Sequence, residues 1–81
     1  MKKVVFVGSG AIGTAIGNVL ARKGMYDVTL LSIEEEVVES INEQRLNITY
    51  FPNVKLSRNL KATTDINILG EADVIFMAIP S

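Results

Sequence analysis

The sequence predicts an α/β fold: a parallel sheet flanked by helices, with strands in the order 3-2-1-4. Three observations carry this prediction. Short continuous apolar runs stand at Val4–Val7 and near the far end at Val74–Ile79, the pattern of strands buried on both faces. Helical spacing alternates with strand-like runs between them. A glycine-punctuated turn, Gly8 to Gly13, joins the first strand directly to the first helix. Strictly alternating elements imply parallel strands with right-handed crossovers.

Taken in order, Val4-Val5-Phe6-Val7 is β-branched and aromatic, and forms the first strand. From Ala11 to Lys23, apolar residues recur at Ile12, Ile16, Val19 and Leu20, which predicts a helix. Arg22 and Lys23 complement its C-terminus and Gly24 ends it. Val28 to Leu31 reads as the second strand. Ser32 and Glu35 form a capping-box pattern, with Glu34, Glu35 and Glu36 suited to the positive end of a helix dipole. Val37, Val38 and Ile41 give that helix a buried face. Residues 47 to 60 carry Pro52 and several Asn without periodicity, hence a loop. Lys61 to Thr64 reads as a short third strand, and Asp65 as the cap of a turn or a short helix ending near Gly70. Val74 to Ile79 is the last strand, closed by Pro80.

At 81 residues there is room for one domain only, and 48% hydrophobic content is enough to build a core rather than a disordered chain. A formal charge of −1 without a basic cluster leaves no electrostatic footprint for nucleic acid or an anionic membrane. The absence of Cys and His removes disulfides, thiolate chemistry, the usual zinc sites and a histidine base. It is compatible with a reducing cytoplasm, where we expect the protein. Lys2 and Lys3 before the uncharged stretch Val4–Ala21 imitate a signal peptide or membrane span. Ser9, Thr14, Asn18 and four glycines interrupt that stretch, and a buried strand followed by a helix on a sheet explains it better.

Gly8-Ser9-Gly10-Ala11-Ile12-Gly13 is a G-x-G-x-x-G sequence that follows a strand, opens a helix and is answered by a second strand. That context separates a dinucleotide-binding, Rossmann-type turn from a merely glycine-rich one. The first glycine permits the tight turn, the second lets a pyrophosphate approach the backbone, and the third lets helix and strand pack closely, with Gly17 extending that contact. Free N–H groups at the helix N-terminus face the phosphates. A P-loop is excluded because no Lys-Ser or Lys-Thr follows the glycines. The acidic residue expected about 20 positions later, on the ribose hydroxyls, has no clear counterpart. Ser32-Ile33-Glu34 stands there: Ser32 is either a ribose or phosphate ligand or a helix N-cap, and Glu34 either a ribose ligand or a first-turn complement to the dipole. No Arg stands ready for a 2′-phosphate, so NAD and NADP both remain open, with a lean to NAD.

A more specific pattern runs through Ile41-Asn42-Glu43, Asn47, Tyr50, Pro52, Val54-Lys55-Leu56, Asn59 to Asp65, Glu71-Ala72-Asp73-Val74-Ile75 and Ala78-Ile79-Pro80-Ser81. In this series, which covers essentially all 81 residues, the chain resembles the N-terminal segment of the bacterial-type NAD(P)-dependent glycerol-3-phosphate dehydrogenases. The resemblance implies that Gly8, Ser9, Gly10, Ala11, Ile12 and Gly13 line the pyrophosphate, that Ser32 and Ile33 lie beside the adenosine, and that Tyr50 approaches the cofactor. Ala78 and Pro80 would form the strand end beside it. An alternative for Tyr50 and Phe51 is a pair of aromatics folded over the sheet edge. The sequence departs from the family at Ile12, usually aromatic, at Ile33, frequently Arg, at Ile48, usually Pro, and at Asn53, usually Gly. The Ile33 departure weakens any inference of NADP use.

The resemblance further implies a catalytic lysine and a helical substrate domain beyond this segment, and none of the lysines present falls in the lysine motif. Residues 1–81 are therefore expected to be the front of a dinucleotide-binding domain that holds cofactor but does not catalyse alone, in a cytoplasmic oxidoreductase of glycerophospholipid metabolism. Two other readings stand beside it: a ketopantoate or 6-phosphogluconate type of dehydrogenase, against which residues 41 to 65 argue, and a stand-alone module that binds nucleotide or a partner without chemistry. With only four strands, Val74–Ile79 is left as a hydrophobic, uncharged edge, and self-association through it is expected.

Overall fold

The computed structural model describes residues 1–79. Its four strands are β1 (Lys2–Val7), β2 (Tyr26–Leu31), β3 (Leu60–Thr63) and β4 (Val74–Met77), all parallel and ordered β3-β2-β1-β4. This is the 3-2-1-4 arrangement that alternation predicts. Helix α1 (Ala11–Arg22) joins β1 to β2, and α2 (Glu35–Glu39) with a π-helical continuation (Ser40–Gln44) leads from β2 toward β3. A 3₁₀ segment, Ile66–Glu71, joins β3 to β4 and lies against β1; the Asp65 side chain caps it by accepting from Asn67 N–H at 3.0 Å.

Register builds the core. Ala62, Leu30, Phe6 and Phe76 stand side by side across the sheet, and Leu60, Val28, Val4 and Val74 form the next row on the same face. Ala21 of α1, Val37 and Ile41 of the second helical segment and Leu56 of the loop pack on these rows. The Phe6 and Phe76 rings stack with centroids 5.0 Å apart, and Val74 packs at the core margin; these two side chains tie β4 to the core.

Helix α1 turns a different face to the sheet than its apolar spacing suggests. Ile12, Ile16 and Val19 point outward, Ile12 at 75% exposure, while Gly13, Thr14, Gly17, Asn18 and Ala21 are buried. Leu20 packs at the core margin. The reason is distance: a Cβ on Gly13 would lie 2.9 Å from the Ala78 Cβ, and one on Gly17 would lie 3.1 Å from Leu30 Cδ2. At these two points of closest approach the helix has no room for a side chain against the sheet. Thr14 and Asn18, one turn apart, instead form a polar seam along which the 47–59 loop is tied down; Asn18 Oδ1 accepts from Ser57 N–H at 2.7 Å.

Three further expectations are corrected. Ser32 is not the N-cap of α2; Glu34 occupies that position, and the Ser32 hydroxyl accepts from Glu34 N–H at 3.0 Å in a serine turn one step earlier. The third strand is Leu60–Thr63, shifted one residue from 61–64, because Leu60 pairs with Val28. The last strand stops at Met77 and not at Ile79; its outer side is open, with Ile75, Phe76 and Met77 exposed along the uncovered edge that four strands alone imply. Pro80 lies outside the described residues.

The two edges of the sheet differ. At β3 the Asn42 side chain behaves like one further strand residue, donating to Ala62 C=O and accepting from Ala62 N–H, both at 2.9 Å, and Arg45 donates to the Leu60 carbonyl. Edge β4 has no such cover among the described residues.

Candidate functional site

The C-terminal ends of β1 and β2, the start of α1 and the residues after β4 surround a cleft of about 460 Å³, within the range of small-molecule sites. Gly8, Ser9 and Gly10 form its floor, Ser32, Ile33 and Glu34 one wall, Tyr50 its lip, and Ala78 and Ile79 the opposite wall.

The glycines have three distinct geometries. Gly8 has φ +114, and a Cβ there would lie 2.8 Å from the Ala78 carbonyl oxygen, so the turn out of β1 excludes a side chain. Gly8 N–H still donates to Leu31 C=O at 2.8 Å, which keeps the turn in the sheet. Gly13 is closed in by Ala78 and the Gly8 carbonyl. Gly10 is the opposite case: its φ of −68 and ψ of −179 suit any residue, and a Cβ would meet nothing within 4 Å. No protein contact requires a glycine there.

Gly10 is also the N-cap of α1, and its carbonyl accepts the first helical bond, from Thr14 N–H at 2.9 Å. The N–H groups of Ala11, Ile12 and Gly13 therefore have no intrahelical acceptor. No side chain caps them and no acidic residue occupies the first turn, so the positive end of the helix dipole is open to an anion.

Of the residues singled out from sequence, Gly8, Ser9, Gly10, Ser32, Ile33, Tyr50 and Ala78 line the cleft. Ala11, Ile12 and Gly13 do not; they form the adjoining first turn of α1. Ser9 and Ser32 turn their hydroxyls to each other at 2.9 Å in a buried pair, which leaves their backbones rather than their side chains to the cleft. Ile33 is 97% exposed at the rim. Tyr50 and Phe51 part company: Phe51 packs on the core, while Tyr50 reaches over the cleft and donates its hydroxyl to Glu34 Oε1 at 2.6 Å.

That hydrogen bond, followed by desolvation and the negative charges of Glu34 and Glu36, holds the Tyr50 hydroxyl above its ordinary pKa of 10.0. Because the folded value is raised, the contribution of this contact is complete below the ordinary value and is lost as pH rises through the raised one. Phenolate absorbance, taken as a difference against Tyr50→Phe, is expected to show a midpoint above 10.0 that falls in Glu34→Gln. An unchanged midpoint would mean the contact does not persist in solution.

Two residues of the site were given no site role from sequence, although Asn47 stands in the family-like series. Asn47, fully buried, donates to the Ser9 carbonyl at 2.7 Å and to Thr14 Oγ1 at 2.9 Å; Thr14 Oγ1 donates to the same carbonyl at 3.2 Å. The available signals were a polar residue on the inner face of a helix and an Asn in a loop, both too common to stand out. Among the described residues no cluster of His, Cys, Asp or Glu is placed to hold a metal, and no helix is long and apolar enough to cross a membrane.

Comparison with known proteins gives a consistent result. Residues 3–81 match the family model described as NAD-dependent glycerol-3-phosphate dehydrogenase N-terminus. The chain is 45% identical over 80 residues to the glycerol-3-phosphate dehydrogenase [NAD(P)+] of Leptospira biflexa, covering 98% of this chain and 24% of that protein. To the Bacillus subtilis protein of the same name it is 42% identical, covering 100% and 24%. Among solved structures, the glycerol-3-phosphate dehydrogenase of Coxiella burnetii superposes with a TM-score of 0.87 at 34% identity, covering 99% of this chain and 25% of that one. The Saccharomyces cerevisiae enzyme gives 0.87 at 35% identity, covering 98% and 26%. The chain thus spans about a quarter of the length of the relatives it matches. The family match runs over residues 3–81, and the chain belongs to the family of NAD-dependent glycerol-3-phosphate dehydrogenase N-termini.

Proposed function

We propose that this chain holds the adenosine and pyrophosphate half of NAD or NADP as the cofactor-binding front of a glycerol-3-phosphate dehydrogenase, which interconverts sn-glycerol 3-phosphate and dihydroxyacetone phosphate. The open space at Gly10, directly before three unpaired N–H groups of α1, carries the reading. A glycine that no protein atom requires, at the mouth of an uncapped helix, fits a ligand whose charged group must come closer than a Cβ allows.

In this reading Gly10, Ala11, Ile12 and Gly13 receive the pyrophosphate by backbone N–H groups and the helix dipole, while Gly8, whose N–H is taken by Leu31 C=O, lines the pyrophosphate as the tight turn beneath it. Ser32, Ile33 and Tyr50 flank the adenosine, and Ala78 closes the side toward β4. When bound, the cofactor supplies the hydride acceptor or donor. The described residues bind and orient it; the handling of the alcohol proton, and the substrate itself, are assigned to the part of such a protein that this chain does not span. Residues 1–81 alone are expected to bind without turnover. A cytoplasmic place in glycerophospholipid metabolism belongs to the same reading.

Choice between the cofactors follows from charge. Glu34 lines the cleft on the side where the adenosine ribose would lie, and no Lys or Arg lines it among the described residues. A 2′-phosphate there would meet a like charge, which favours NAD. Calorimetric titration with NADH and NADPH tests both claims. Saturable binding with NADH about three- to tenfold tighter is expected, a difference of about 0.7–1.4 kcal/mol. Ile33→Arg, at a rim position with no packing to lose, should shift the preference toward NADPH. A folded chain that binds neither would overturn the reading.

The uncovered β4 edge supports a further expectation, that the chain self-associates there. Light scattering over a concentration series should show dimers or larger species, which a lysine in place of Ile75 should suppress; a monomer at high concentration removes the idea.

A further inference from the structure

We propose that Asn47 is a positioning residue for this site, acting on the ligand only through the peptide between Ser9 and Gly10. The inference rests on the dinucleotide reading above. Its basis is the polar knot under the glycine turn. The Ser9 carbonyl accepts from Asn47 Nδ2 at 2.7 Å and from Thr14 Oγ1 at 3.2 Å, and Asn47 Nδ2 also reaches Thr14 Oγ1 at 2.9 Å. All three residues are buried.

A trans peptide points its C=O and the following N–H in opposite directions. Holding the Ser9 carbonyl inward therefore turns Gly10 N–H outward, away from Asn47. That N–H has no hydrogen-bond partner among the described residues, and it joins the three open N–H groups of α1 as a fourth donor to an anion. A glycine on either side of Ser9 gives the backbone little preference of its own. Something must fix the peptide, and the only side chains bonded to its carbonyl among the described residues are those of Asn47 and Thr14.

Asn47 is also tied at its other end. Its Oδ1 accepts from Tyr50 N–H at 3.1 Å and its own carbonyl from Phe51 N–H at 2.9 Å. One amide group thus couples the orientation of the glycine turn to the loop that carries Tyr50 over the cleft. A residue that merely filled space would need no such pair of bonds in opposite directions, and its loss would lower stability without singling out one part of the ligand.

The test uses the full chain and two probes, ADP and adenosine, with affinities corrected for the folded fraction. In Asn47→Leu and Thr14→Val, ADP is expected to weaken about tenfold, one charge-assisted bond's worth, while adenosine changes less than about twofold. Thr14→Ser, which keeps the hydroxyl, should restore ADP binding. Equal loss of both probes, or unchanged ADP binding in folded variants, overturns the proposal. Should Asn47→Leu fail to fold, Thr14→Val decides on the same criteria. An unmutated chain that takes no ADP removes the dinucleotide reading and with it the purpose assigned to Asn47. Normal ADP binding that ignores both variants removes only the latter.

Discussion

Gly8→Ala is expected to destabilise the chain by about 3–5 kcal/mol, combining backbone strain with overpacking. The backbone there has φ +114, which L side chains rarely adopt, and the added Cβ would lie 2.8 Å from the Ala78 oxygen and 3.1 Å from its carbonyl carbon. Both obstacles are backbone, so no rotamer change relieves them. Relief would require β4 to part from β1, breaking the bond from Ala78 N–H to Val7 C=O at 2.9 Å. Since whole domains are stable by only about 5–15 kcal/mol, a loss of this size leaves a large unfolded fraction. Gly24→Ala separates the two causes. Gly24 has φ +71 but open space around it, so only the left-handed penalty of about 1–2 kcal/mol applies. Urea denaturation followed by circular dichroism should place Gly8→Ala well below Gly24→Ala. Equal midpoints would show that the close approach of Ala78 contributes nothing.

Gly10→Val should do the reverse, sparing the fold and removing the ligand. The backbone angles accept valine and no protein atom lies within 4 Å of its Cβ, so the expected cost is that of a poorer N-cap, about 1 kcal/mol or less. The branched side chain would project into the space that the pyrophosphate needs. NADH affinity is then expected to fall at least about 30-fold, equivalent to about 2 kcal/mol. Melting and titration of the same preparation give the two readings together. Binding within twofold of the unmutated chain would mean that phosphate never approaches Gly10, and the function proposed from that open space would fall with it.

Gly8 and Gly10 sit two positions apart in one motif, and the motif does not say which is held by the protein and which is left free for a ligand. That division appears only when Ala78, 70 residues further on, is brought against Gly8 and nothing is brought against Gly10. Helix α1 teaches the same point. Its existence and its end at Gly24 were legible, because periodicity and a left-handed stop are local properties. Its buried face was not. Ile12, Ile16 and Val19 carry the stronger apolar signal, yet the sheet approaches so closely that only Gly13, Gly17 and Ala21 fit between.

Ser32 shows how a local rule loses to a long-range one. Its capping-box spacing to Glu35 is sound, but Ser9 arrives from 23 residues earlier and takes its hydroxyl into a buried pair. Asn47 is the extreme case. Its place in the family-like series marked the position but gave it no role, and the role comes entirely from Ser9 and Thr14, 38 and 33 positions away.

The sequence by itself determined the strands, through runs of β-branched residues; their order, through alternation with helices; and the glycine turn, through its place between a strand and a helix. These rest on backbone preference and on short-range packing, which adjacent residues specify. Tertiary structure alone decided which side chains face the cleft, that Tyr50 closes on Glu34 while Phe51 turns inward, and that Asn47 holds the Ser9 carbonyl. Those contacts exist only once distant segments are packed together, where excluded volume and the need to pair every buried polar group select among alternatives that local sequence leaves equal.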